Sequence, residues 1–193
     1  MPNWYSEEDL KCLGSVGKNV KIDKTVHLIA PENIHIKDNV RIDAFCILSG
    51  TKGIMINNQV HIAPYCQLVA SGGIITMQDF SGLSSRVSIF TASDDYVSGT
   101  LTNPTIPSEF KKLKIGNVLL EKHVIVGCGS IIMPNSILEF GCSVGALTFV
   151  NKNVKSGEVV SGQPAKTITY RNLNKLMKME EEYYFKMKEA YNE

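Results

Sequence analysis

The sequence predicts an all-β solenoid, a chain wound into stacked three-sided coils, on three observations. Aliphatic residues recur at every sixth position, groups of three such hexads restart at a fixed offset, and the regularity is suspended once, over 93–114. Six residues make one short extended strand plus a turn, so leaders that are always aliphatic share one inward direction. Three hexads bring the chain back to its starting side. Each circuit then stacks on the last at a strand spacing of about 4.8 Å, with parallel ladders between circuits.

Residues 1–15 read as an N-terminal helical cap: Ser6-Glu7-Glu8-Asp9-Leu10 has the form of an N-capped short helix ending near Gly14. The coil occupies 16–168. Its leaders are Val16, Ile22 and Leu28, then Ile36, Ile42 and Leu48, then Ile56, Ile62 and Leu68, each triplet twenty residues after the last. A fourth triplet starts at Thr76 and slips around Gly82–Ser88, which leaves its phase open. Beyond the interruption, Leu120, Val126, Ile132, Leu138 and Val144 lead uninterrupted hexads. The position four after each leader is small or β-branched, as in Val26, Val60, Ser130 and Thr148, and Cys46, Cys66 and Cys142 fall in that slot as small buried side chains. Alternation places Val87, Ile89, Leu119, Ile125, Ile131 and Ile137 on the flanks, where they need cover. Residues 169–193 form the last element, with an amphipathic helix over Tyr170–Asn192 that carries Leu173, Leu176, Tyr183, Met187 and Ala190 along one side. Apolar residues at steps 0, 4, 6 and 10 do not follow a 3.6-residue period, so the coil itself is not helical.

Composition narrows the function by exclusion. A net charge of +1 gives no electrostatic reason to expect nucleic acid or a membrane surface. The apolar runs are too short to span a bilayer, and Met1–Leu10 is too polar for a signal peptide. Five cysteines without a CxxC form neither a disulfide framework nor a zinc pattern. A cytoplasmic setting is expected.

The hexads, the single excursion and the GQPAK run at 162–166 resemble the hexapeptide-repeat acyltransferases, in the branch of sugar O- and N-acetyltransferases related to galactoside and maltose acetyltransferases. The resemblance covers about residues 16–168. It implies a left-handed parallel β-helix, an exception to the usual right-handed crossover. It also implies a homotrimer with acetyl-CoA as co-substrate in the groove between neighbouring coils, no metal, and a sugar or nucleotide-sugar acceptor. The expected activity is acetyl transfer to a sugar hydroxyl, or an amine, in cell-surface polysaccharide biosynthesis. The alternative is N-acetylation of a nucleotide-linked amino sugar.

A solenoid has a uniform surface, so its active site is expected on the excursion. In the related enzymes the base is a histidine at the start of this loop. The matching stretch here is Thr91-Ala92-Ser93-Asp94, and the histidine is absent. Three explanations stand. Asp94 or Asp95 serves as base, which requires a raised pKa because an ordinary carboxylate near 4 is a poor proton acceptor from an alcohol. His123 replaces it from the groove wall. Or the acceptor is an amine that needs little help, and the aspartates orient it. For the coenzyme, the resemblance points to the backbone at Gly145-Ala146, to Thr148 beside it, and to Lys152 and Lys166 at the nucleotide phosphates. Two rivals remain: a non-catalytic scaffold, and zinc chemistry of the γ-carbonic-anhydrase kind. The second is disfavoured because His27, His35 and His61 precede leaders on three different sides of the prism.

Overall fold

The computed structural model describes residues 3–190. The chain is a parallel β-solenoid with three sheets running along its length, of six, eight and six strands, plus a two-stranded hairpin. The first face contains Ser15–Val16, Ile34–Ile36, Ile54–Ile56, Ile75–Met77, Val118–Leu120 and Ile137–Leu138. The second begins with Lys21–Ile22 and descends through His61–Ile62 and Gly82–Leu83 to Ser143–Val144, closing with Glu158–Ser161 and the antiparallel Lys166–Tyr170. The third runs from His27–Ile29 through Ser88–Phe90 to Phe149–Val150.

The leaders stack in register. Ile22, Ile42, Ile62, Leu83, Val126, Val144 and Val160 form one inward column, paired strand to strand. Leu28, Leu48, Leu68, Ile89, Ile132 and Val150 form another. These columns fill a core in which Ile22, Ile62, Leu68 and Val126 are all fully buried. The fourth triplet is led by Met77, Leu83 and Ile89, one residue later than the Thr76 start expected from the period. Met77 pairs with Ile56 across an offset of 21 residues, the extra one falling in the turn at 71–74. The same shift corrects two flank assignments: Ile89 is a leader and Val87 an inner corner residue, and both are fully buried. Ile125, Ile131 and Ile137 do lie outside, at 42%, 38% and 38% exposure.

Along two of the edges most corners are made by a residue in the left-handed region three places after a leader, among them Asn39, Gln59, Phe80 and His123 on one edge and Phe45, Tyr65, Arg86 and Leu147 on the next. The inner corner slot accepts only small groups. Cys46, Cys66 and Cys142 fill it without exposure, and burial pushes the Cys142 thiol up to about 12, leaving it protonated and inert.

The upper end is closed by one 3-10 turn, Asp9–Cys12, rather than a longer helix. Ser6 and Asp9 hydrogen-bond reciprocally, the Asp9 N–H donating to Ser6 Oγ at 3.2 Å and the Ser6 N–H to Asp9 Oδ2 at 3.0 Å. Leu10 and Leu13 cover the core there.

The C-terminal helix, Leu173–Ala190, lies along the first corner edge. Leu173 and Leu176 pack on Gly141, and Tyr183 meets Phe80 edge-on at 5.6 Å. Glu180 binds both Lys122 and His123, the latter at 2.7 Å. Burial raises the Glu180 carboxyl, but the hydrogen bonds from Lys122 and His123 outweigh it and hold the group below its ordinary value. Met187, expected on the inner side, is 39% exposed, and the expected positions of the Ala190 side chain and Asn192 lie outside the described residues.

Candidate active site

The excursion leaves and rejoins the coil at one point. Thr91, fully buried, donates from Oγ1 to the Val69 carbonyl at 3.1 Å and accepts the Gly72 N–H at 3.0 Å. Its carbonyl accepts the returning Gly116 N–H at 3.1 Å. Gly72 permits this close approach, since a Cβ there would meet the Thr91 carbonyl at 2.8 Å. Between these anchors the antiparallel strands Ala92–Asp94 and Leu113–Ile115 form a stalk, and the segment beyond it stands out from the prism.

Asp94 ends the outgoing strand, half-buried, with Oδ2 accepting the Asn103 N–H at 3.2 Å. It lines a cavity of about 220 Å3 together with Tyr96, Lys114, Met133, Phe149 and Asn151. A second groove of about 410 Å3, containing Gly129, Ile131, Thr148, Gln163 and Pro164, shares Phe149 and Asn151 with the first. The two make one continuous trough from Asp94 down the third face to the GQPAK turn. Gln163 fixes that turn by donating from Nε2 to the Leu147 carbonyl at 2.9 Å.

Asp95 does a different job. It is buried, Oδ1 accepts the Val97 N–H at 3.0 Å, and Lys112 Nζ lies 3.7 Å away. Donation from the Val97 and Ser98 backbone holds its carboxyl below the usual range, the reverse of what a base for an alcohol requires. It staples the loop.

His123 is not brought to Asp94 and lines neither part of the trough. It takes the corner of the first edge, stacks on Phe80 at 5.0 Å and is closed beneath Glu180 of the terminal helix. The burial that makes it a good packing residue removes it from the groove wall.

Of the coenzyme candidates, Thr148 lines the trough, and its Oγ1 is engaged within the corner, donating to the Ala146 carbonyl and accepting the Gly162 N–H, both at 3.3 Å. The Gly145 N–H is committed to the Val160 carbonyl at 2.8 Å, while Ala146 is exposed. Lys152 and Lys166 are exposed near the lower end. Sequence spacing does not reveal Lys114, Tyr96 and Asn151, because only the folding of the hairpin against the last coils places them beside Asp94. No group of three or more potential metal ligands occurs among the described residues. His27, His35 and His61 lie on three separate faces. No helix among the described residues is long and apolar enough to cross a membrane.

No family model matches the sequence. A curated protein of Escherichia coli, dTDP-4-amino-4,6-dideoxy-D-glucose acyltransferase, is 40% identical over 179 residues, covering 92% of this chain and 93% of the relative. The chain belongs to the family of dTDP-amino-sugar acyltransferases. AntD, an N-acyltransferase from Bacillus cereus solved with dTDP and 3-hydroxybutyryl-CoA, superposes with a TM-score of 0.91 at 41% identity, covering 97% of this chain and 100% of AntD. A maltose O-acetyltransferase from Clostridium difficile 630 shares the fold at a TM-score of 0.56 and 22% identity, over 85% of this chain and 73% of that one. The protein is therefore an acyltransferase built on a hexapeptide-repeat solenoid. Of the two acceptors expected, the likeness backs the amine of a nucleotide-linked sugar better than the sugar hydroxyl. The likeness to O-acetyltransferases is confined to the fold or to part of the chain, 29% identity over 75 residues with a putative lipopolysaccharide biosynthesis O-acetyl transferase of Escherichia coli K12. The near full-length likeness is to an acyltransferase of a dTDP-amino sugar.

Proposed function

We propose that this enzyme transfers an acyl group from an acyl-CoA thioester to the 4-amine of a dTDP-linked 4-amino-4,6-dideoxy sugar. The observation that carries this is the near full-length likeness to acyltransferases of that sugar, joined to an aspartate where the hydroxyl-acylating enzymes have a histidine. AntD has been solved as variants at an aspartate numbered 94 and a serine numbered 84, two of the serine variants with dTDP-4-amino-4,6-dideoxyglucose and coenzyme A bound. This chain has Asp94 and Ser84 at the same numbers.

The chemistry needs little from the protein beyond placement. The neutral amine attacks the thioester carbon, its lone pair forming the C–N bond while the carbonyl electrons move to oxygen. Collapse of that adduct expels the thiolate, and the nitrogen loses one proton, which ends on the sulfur. The Asp94 carboxylate serves by accepting a hydrogen bond from the amine and steadying the positive charge that develops on nitrogen. The trough supplies the acyl-CoA berth, with Phe149 along its wall and Lys152 and Lys166 as cations for the nucleotide phosphates. The expected result is thiol release from acyl-CoA with dTDP-4-amino-4,6-dideoxyglucose, and none above background when the 4-amine is replaced by a hydroxyl. Equal rates with both acceptors would refute the reading.

The enzyme works as a homotrimer in this account. Ser84 belongs to the second face, whereas Asp94 leaves from the end of the third, and a substrate touched by both would lie where one copy's loop reaches another copy's face. Exposed Ile125, Ile131 and Ile137, and Phe185 at 62% exposure on the terminal helix, supply apolar surface for such contacts. Sedimentation should give three times the chain mass of 21.3 kDa, and a monomer at assay concentration would contradict it. Both substrates are cytoplasmic metabolites, which puts the reaction in the cytoplasm, and the product is a building block for cell-surface polysaccharide.

A further inference from the structure

Outward positions on the second face form a column in register: Lys21, Arg41, His61, Gly82, Ile125, Ser143 and Val159. At one place in it the side chain is missing. The gap over Gly82 is a notch of about 430 Å3, within the usual ~300–1,000 Å3 of small-ligand sites. Its walls divide by chemistry: Gln59, His61 and Ser84 offer hydrogen-bonding groups, and Phe80 and Ile125 offer apolar surface.

The backbone does not require a glycine here. Gly82 lies in a strand outside the left-handed region, and a Cβ would meet only Ile125 Cδ1 at 3.5 Å and the His61 carbonyl at 3.6 Å, ordinary contacts. Gly73 and Gly127 differ, since a Cβ on either would come within 2.8 Å of backbone atoms. A glycine inside a strand is less stable there than alanine, and one that packing does not demand marks a place where another molecule comes close. The wall beside it is rigid. His61 Nε2 is 2.8 Å from Oδ2 of Asp43, a buried carboxylate whose Oδ1 accepts from Arg41 Nε at 2.7 Å.

We propose that the Gly82 notch seats the amino-sugar ring of the acceptor, with glycine as the specificity-determining residue that leaves room for it. The 6-deoxy carbon faces Phe80 and Ile125, and the polar edge of the ring faces Gln59, His61 and Ser84. This rests on the acceptor assignment made above.

The test uses Gly82→Ala and Gly82→Val in the full-length enzyme. Gly82→Ala is expected to fold with a Tm equal to or above that of the wild type, because the Cβ has space and the strand gains propensity. Its KM for dTDP-4-amino-4,6-dideoxyglucose is expected to rise at least tenfold while KM for acyl-CoA stays unchanged, and Gly82→Val should raise the sugar KM further. A folded Gly82→Ala enzyme with a wild-type sugar KM overturns the notch assignment alone. A wild-type enzyme that does not acylate this sugar overturns the acceptor assignment and the notch with it.

Discussion

Asp94→Asn is expected to lower turnover of the amino-sugar acceptor by roughly two orders of magnitude, the scale of a positioned group that handles charge and protons in the transition state. Asparagine keeps the shape, and its amide oxygen still accepts from the Asn103 N–H, so the loop stays closed. What it removes is the negative charge facing the amine as that nitrogen becomes cationic. Asp94→Ala removes the acceptor for Asn103 as well and should fall at least as far. Steady-state thiol release with saturating acyl-CoA measures both, and an unchanged kcat/KM in Asp94→Asn would take Asp94 out of the site. His123→Ala is the control. Its ring sits beneath the terminal helix, so turnover should be retained while the helix loses protection from hydrogen exchange.

Ile62→Ala is expected to destabilise the fold by about 2–5 kcal/mol, the range for removing a buried aliphatic side chain from a packed core. Ile62 is fully buried and stacks between Ile42 and Leu83 in the leader column of the second face. A coil of this kind gains most of its stability from contacts between successive turns, so a cavity in one turn weakens both neighbours. Urea unfolding gives the measurement, and a loss under about 1 kcal/mol would mean that the column is not the core. Exposed Ile131, also aliphatic but outside, should tolerate alanine in the isolated chain far better.

The sequence disclosed the coil because its period is local: each inward leader is one hexad from the next, and the register of Ile22, Ile42 and Ile62 follows by counting. Counting failed where the turn at 71–74 took one extra residue, which moved Val87 and Ile89 from the expected flank into the core. The excursion was legible as a break in period, and Asp94 as the residue standing where related enzymes carry a base. Its cavity was not, because Lys114, Met133 and Phe149 reach it from separate parts of the chain. His123 looked available because sequence does not reveal that a helix some fifty residues later covers it. Gly82 read as slippage in the repeat, although it lies on an unbroken strand where a side chain is withheld.

The bond formed in the product bears most directly on whether this enzyme acylates nitrogen. dTDP-4-amino-4,6-dideoxyglucose incubated with enzyme and acyl-CoA should gain the mass of one acyl group, and that mass should survive mildly alkaline hydroxylamine, as an amide does. An added mass that hydroxylamine strips, as it strips an ester, would contradict the account.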